Sequence, residues 1–263
     1  MHASLPQENT LIALREEGRY AEALALLQQL YADAACAPTA EAADLFGILL
    51  EWHFLAEMHA PARAAMVQAR DLQIARLLAG EASFWQGGDQ ERPSSRLSRF
   101  NLITTMNRTL DDERSTYDLF AGLDTRQPEL ARRYASQALP AVVAVGDFAL
   151  ADRYRRAPLD LLDTVNDSAT RYPLFTIDGR APRLATELMQ LVRDVTLAMA
   201  VLRGLGRAAE AAPLPAALLA GLQSEELRLW AERELADAGA IDRAVGELQL
   251  QHELRRRAAA GLS

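Results

Sequence analysis

Two histidines and two glutamates lie close together in the segment EWHFLAEMHA, residues 51–60. His53 and Glu57 are four residues apart, which places them on one face of a helix, where an imidazole and a carboxylate can bind one Zn²⁺. The zinc-protease pattern of two histidines flanking a glutamate is absent, and the sequence indicates no third ligand. We therefore interpret His53 as a partly buried polar residue beside Trp52 and Phe54, and predict no metal site.

A second set of polar residues has the types that bind magnesium. They are Asp111, Asp112, Asn166, Asp167 and Thr170. They resemble fragments of the two metal-binding motifs of all-helical terpenoid synthases. The final acidic ligand of the second motif would fall at Leu174, and an aromatic content of 6% does not suit a carbocation pocket. Residues 111–113 are better interpreted as charges that complement the positive end of a helix dipole.

These acidic residues leave one alternative open, which is an all-helical enzyme or small-ligand binder with an acidic pocket between helices. The sequence assigns no catalytic residue and no cofactor.

The charges of the chain are unevenly divided between residue types. All 28 basic residues are Arg, and they face 36 acidic residues, so the formal net charge is -8. A field of this sign disfavours nucleic acids and anionic membranes, and we expect neither as a partner. Each Arg presents a planar, permanently charged fork that suits carboxylates.

The apolar residues predict a helical protein. They make up 50% of the chain, and Ala and Leu, which are strong helix formers, supply most of them. No segment alternates as a strand does, so we predict an all-α fold with about two thirds of residues in helices, twice the average. No apolar run reaches the ~20 residues that span a bilayer, and no secretory signal is recognisable at the start, so we expect a cytoplasmic protein.

A short pattern recurs four times along the chain. It reads GRYAEA at 18–23, GDFALA at 146–151, GRAAEA at 206–211 and GAIDRA at 239–244. Gly permits a backbone turn that a Cβ would hinder. The residue two positions later is expected to pack back on the preceding helix, and the Ala five positions after the Gly lets two helices approach closely. Each copy therefore predicts a turn between two antiparallel helices.

This pattern resembles the tetratricopeptide repeat family, whose unit has Gly and Tyr at the turn and Ala early in the second helix. Pro38, Pro158 and Pro213 follow second helices as prolines of the family do. Gly239 lies 33 residues after Gly206, near the ~34 of the family unit, whereas Gly206 lies 60 residues after Gly146. The resemblance covers about half of the chain. An unrelated helical bundle is the alternative.

The resemblance implies an irregular α-α superhelix, a solenoid of antiparallel helical hairpins. We predict one repeat-like domain over residues 1–263, with irregular loops near 80–95 and 170–183.

The same resemblance implies a non-catalytic scaffold that binds a protein or an acidic peptide. In the family, first-helix positions line a concave surface, and the register places eleven residues there. They are Glu8, Ile12, Arg15, Arg133, Ser136, Val143, Arg193, Thr196, Arg203, Glu226 and Arg233. Arg recurs along this surface, so we predict an Arg-lined groove that holds carboxylates. The predicted binding residues are Arg15, Arg133, Ser136, Arg193, Thr196, Arg203 and Arg233.

Overall fold

A computed structural model of the protein describes residues 5–36, 44–84, 98–176 and 182–259. Every regular element in these ranges is a helix, and helices hold 80% of the described residues. This confirms the all-α prediction. Pro38, the side chain of Glu8 and the parts of the predicted loops at 85–97 and 177–181 lie outside the described residues.

The described residues contain the following helices in chain order. They are α1 (Leu5–Glu16), α2 (Tyr20–Cys36), α3 (Asp44–Met58), α4 (Ala60–Leu78), α5 (Arg99–Thr109), α6 (Glu113–Arg126), α7 (Pro128–Val145), α8 (Phe148–Tyr154), α9 (Leu162–Ala169), α10 (Arg183–Gly204), α11 (Ala208–Ala211), α12 (Leu214–Gly221), α13 (Glu225–Ala236) and α14 (Ala240–Ala259).

The helices form two compact units, with the boundary inside α7. The N-terminal unit is Met1–Ala141 and the C-terminal unit is Val142–Ser263. The expectation of a single domain over residues 1–263 stays a prediction.

In the N-terminal unit, consecutive hairpins pack on one another. Helix α2 packs against α1 and α3, α3 also packs against α1 and α4, and α4 packs against α5. Buried side chains from these helices form one apolar core, and the indole Nε1 of Trp52 donates a buried hydrogen bond to Ala62 O at 3.0 Å. Its fully buried large side chains include Leu11, Leu27, Leu45, Trp52, Leu55, Met66 and Phe84.

A buried guanidinium fixes the chain between α4 and α5. Arg99 is only 1% exposed, and its Nε and Nη2 donate to the carbonyl oxygens of Glu81 and Ser83 at 2.7 and 2.6 Å. Its Nη1 donates to Gln73 Oε1, and Gln73 Nε2 in turn donates to the Tyr31 hydroxyl at 2.9 Å. Arg99 therefore ties segment 81–84 to α2, α4 and α5.

In the C-terminal unit, the long helix α10 is the central element. It packs against α8, α9, α11, α12 and α13, and α13 packs against α14. Leu184, Leu188, Leu191 and Val195 recur along α10 at helical spacing and are buried in this core.

The four predicted turns all lie between consecutive helices, and Gly adopts a positive φ at each. The φ angles are 75° at Gly18, 89° at Gly146, 75° at Gly206 and 86° at Gly239. At Gly18 the Gly N–H donates to Arg15 O at 3.1 Å and the next N–H donates to Leu14 O at 2.9 Å. This is the Schellman arrangement, in which a left-handed residue closes the last helical turn.

The burial of the pattern's Ala residue and the hydrogen bonds at the turn differ among the four copies. Ala23, Ala151 and Ala211 are fully buried, whereas Ala244 is partly buried. At Gly239 the carboxylate of Glu234 accepts from the N–H groups of Gly239 and Ile241 instead.

One local expectation needs correction. The second helix predicted after Gly206 is only the four residues of α11, because Pro213 interrupts it and begins α12 as its N-cap. Helix α8 ends at Tyr154, so Pro158 follows it as expected, and α7 continues through Pro140. Ser224 occupies the N-cap of α13, but its side chain makes no capping hydrogen bond.

Helices α8 and α10 approach closely at Gly204. A Cβ added there would lie 2.3 Å from the ring of Phe148. Gly204→Ala should therefore force the ring aside and lower the free energy of unfolding by about 1–2 kcal/mol, as measured by urea denaturation.

The control for this prediction is Gly246→Ala in α14, where an added Cβ meets nothing within 4 Å. That change should be neutral or stabilise by up to about 1 kcal/mol. Equal stability of the Gly204→Ala variant and the wild type would show that the close contact is wrong.

Candidate binding faces

The clearest group of predicted binding residues lies on α10. Arg193, Thr196 and Arg203 share one side of the helix, and all three are exposed. The two Arg Cα atoms are about 15 Å apart along the helix axis. Neither guanidinium forms an ion pair within 4.0 Å of a described carboxylate. We call Arg193, Thr196 and Arg203 the α10 face.

Three other Arg side chains of the C-terminal unit are neutralised by carboxylates. Arg155 binds Asp152 at 2.6 Å, and Arg207 binds Glu210 at 2.7 Å. Arg243 forms an ion pair with Asp237. The α10 face therefore keeps charge that a partner can use.

The remaining predicted residues lie in different surroundings. Arg233 is exposed and covers the ring of Trp230 at 4.8 Å, and that ring contacts Phe175 edge-on at 4.8 Å. Arg133 and Ser136 are exposed on α7 in the N-terminal unit. Arg15 is not free, because its Nε binds Glu51 Oε2 at 2.9 Å. Its role as a free carboxylate ligand is therefore not supported by its contacts.

The histidines and glutamates of segment 51–60 make separate contacts. His53 Nε2 lies 3.6 Å from Glu57 Oε1, Glu51 binds Arg15, and the ring of His59 lies 5.7 Å from that of Tyr20. Within the described residues, no group of three or more His, Cys, Asp or Glu side chains has the arrangement to hold a metal ion.

Asp112 and Asn166, two of the residues compared with magnesium-binding motifs, make structural hydrogen bonds. Asp112 caps α6 by accepting from Ser115 N–H at 3.0 Å, and it binds Arg70 at 2.6 Å. Burial alone would raise the pKa of Asp112, but the hydrogen bonds from Ser115 and Arg70 outweigh it and lower the pKa. Asn166 bridges Gly221 O and Gln223 N–H, both at 3.0 Å.

An exposed apolar row on α3 was not predicted. Its four members are spaced four residues apart and leave large fractions exposed: Phe46 76%, Leu50 42%, Phe54 36% and Met58 46%. We call these four residues the α3 stripe. Sequence reasoning missed it because α3 is apolar around most of its circumference, so the spacing alone does not separate the buried row from the exposed one.

A carboxylate on α10 is held in an unfavourable environment. Asp194 Oδ2 is buried and has no hydrogen-bond partner within the part of the chain that the structure describes. Burial raises the pKa of Asp194, and nearby Asp160 adds to this, whereas Gln190, Arg156 and Arg193 oppose it. A raised pKa means that the folded protein holds the proton more tightly than the unfolded chain does.

This environment predicts a pH-dependent stability. The stabilisation that protonated Asp194 gives the folded state is fully present below the unfolded-state pKa of about 3.9. It is lost as pH rises through the higher pKa of the folded state. Asp194→Asn should therefore raise Tm at pH 7, and its advantage over the wild type should shrink as the pH is lowered towards 4. Thermal melts across this range measure both effects, and a lower Tm at pH 7 would show that the carboxylate is stabilising.

Comparison of the chain with models of protein families, with curated proteins and with solved structures finds no match. Within the described residues, no helix is long and apolar enough to cross a membrane. The predicted cytoplasmic location stays a prediction.

Proposed function

We propose that the protein is a non-catalytic scaffold of stacked helical hairpins that binds a protein partner through an acidic segment. The observation that carries the proposal is the α10 face, where Arg193 and Arg203 are exposed and form no ion pair with a described carboxylate. A carboxylate-bearing peptide can bridge two such guanidiniums through charge-assisted hydrogen bonds.

The packing of the helices supports a repeat-like scaffold. In the N-terminal unit α1, α2, α3 and α4 pack in the order expected of successive hairpins, with α1 also touching α3. In the C-terminal unit α10 and α13 pack on each other as neighbouring first helices would, and Gly206 and Gly239 form the turns that follow them. The tetratricopeptide-like solenoid is proposed on this basis.

The charges of the protein favour a short acidic peptide as the partner over a large polyanion. The chain carries a formal charge of -8, which repels large polyanions at long range. A short acidic peptide contacts only the local positive charge of the α10 face. Such exposed contacts are screened beyond ~8 Å at physiological ionic strength, so binding should weaken with salt.

Affinity capture from native lysate, with identification by mass spectrometry, tests the proposal. The wild type should retain a partner that is released progressively as salt rises. The double variant Arg193→Ala, Arg203→Ala should fail to retain it while keeping the wild-type circular dichroism spectrum and Tm. Retention of the same partner by the folded double variant would contradict the proposal.

A second candidate function is a small-ligand binder with acidic groups between helices. One observation favours it: Glu187 Oε2 and Asp194 Oδ2, both on α10, are buried without a hydrogen-bond partner among the described residues. A small organic cation that raises the Tm of the wild type but not that of Asp194→Asn would favour this candidate. No such shift across a panel of cationic amines would count against it.

A further inference from the structure

The α3 stripe continues the surface that Arg15 was predicted to line. Arg15 lies over the Phe54 ring, with its guanidinium carbon 5.3 Å from the ring centroid, and it binds Glu51 on the same helix. The ion pair neutralises Arg15 and leaves the four apolar side chains as the main feature of this surface. The surface of α1 and α3 is therefore suited to an apolar contact and not to a carboxylate.

The geometry of the stripe fits a helical partner. Its four members form a single row at i, i+4, i+8 and i+12, about 18 Å long. Rows of this spacing are the ridges that pack into the grooves of a second helix. Contiguous exposed apolar patches commonly mark interaction sites.

The net charge of helices α1–α3 favours a basic partner helix. The described side chains of α1–α3 include six carboxylates and two guanidiniums, a net formal charge of -4. Both guanidiniums are engaged, since Arg15 binds Glu51 and Arg19 binds Glu17 and Glu22.

Glu57 places a carboxylate at one end of the stripe, next to the His53 ring. Glu57 is exposed in the last turn of α3, which has no basic residue, so its carboxylate adds to the negative end of the helix dipole. A second copy of this chain would bring like charges together at this surface. A helix with Lys or Arg beside its apolar face would instead place positive charge next to the Glu57 carboxylate.

We propose that the α3 stripe binds the apolar face of a basic amphipathic helix of another protein, with a cationic side chain of that helix next to Glu57. The partner helix inserts apolar side chains between Phe46, Leu50, Phe54 and Met58. This site uses residues other than those of the α10 face and does not depend on the function proposed for that face.

Three labelled peptides of about 18 residues, long enough for five helical turns, test the proposal by fluorescence anisotropy with the full chain. The first has Leu on one helical face and Lys elsewhere. The second has the same composition in scrambled order, and the third has Glu in place of Lys. The first peptide should bind at least about tenfold more tightly than either of the others. Equal binding of the scrambled peptide would overturn the proposal, because it would leave only non-specific charge attraction.

Matched variants locate the site. Phe46→Gln with Phe54→Gln should weaken binding of the Leu/Lys peptide by about tenfold or more, since both remove a large aromatic contact of the stripe. Leu72→Gln with Leu250→Gln removes two other exposed apolar side chains, which are 51% and 61% exposed, and should leave the affinity unchanged. Glu57→Gln should weaken binding at low salt, whereas Glu226→Gln in α13 should not.

The folded state of each variant is checked by its circular dichroism spectrum, which should match that of the wild type. Unchanged affinity of the Phe46→Gln, Phe54→Gln variant would overturn the proposal. Sedimentation showing that the wild type dimerises while this variant is monomeric would also overturn it, because the stripe would then be covered by a second copy.

Discussion

Replacement of Arg99 by Met should lower the free energy of unfolding by about 3 kcal/mol, the largest effect expected of a single substitution described here. The guanidinium is 1% exposed and donates to Glu81 O, Ser83 O and Gln73 Oε1. Each acceptor left without a donor costs about 1–3 kcal/mol. Removing a buried charge offsets part of this cost, because burial also lowers the pKa of Arg99 and so disfavours its charged form.

Arg99→Lys is the informative control. Lys keeps the positive charge but lacks the planar fork, so it cannot reach all three acceptors and should recover only a minor part of the stability. Urea denaturation of the three proteins measures the differences. If Lys restores wild-type stability, the positive charge at position 99 stabilises this region and the planar guanidinium geometry is not required.

Replacement of Ala151 by Leu should destabilise the C-terminal unit by on the order of 1–3 kcal/mol. Ala151 is completely buried in α8, one helical turn after Phe148, and these positions share a face of the helix. Phe148 already lies against Gly204, so the face has no room for three further carbon atoms.

The matched change Ala149→Leu adds the same atoms at an exposed position of α8 and should leave Tm nearly unchanged. A wild-type Tm for Ala151→Leu would show that this Ala does not sit at a close helix contact, and that the repeat register through Gly146 is wrong.

The helical class and the turns could be predicted because they depend on local chemistry. Gly18, Gly146, Gly206 and Gly239 each occupy a left-handed conformation that Gly adopts without a Cβ clash, so the residue type carries the information. The length of the helix after Gly206 could not be predicted from the repeat pattern, because Pro213 overrides the pattern two residues after Ala211.

The binding surfaces depend on contacts between residues that are far apart in sequence. Arg15 and Arg193 look alike in the sequence, but Arg15 meets Glu51 of another helix and Arg193 forms no ion pair with a described residue. The exposure of the α3 stripe likewise follows from which side of α3 faces α2 and α4. Only the three-dimensional arrangement separates these cases.

The α10 face is tested most directly by titrating the protein with a labelled peptide of about eight Glu residues, a length chosen to span the ~15 Å between Arg193 and Arg203. Arg193→Ala with Arg203→Ala should weaken binding by about tenfold or more at low salt. Arg207→Ala with Arg243→Ala changes the net charge equally but removes guanidiniums that are already paired, so it should have little effect. Equal weakening in both double variants, or none in the first, would contradict an acidic-peptide site on α10.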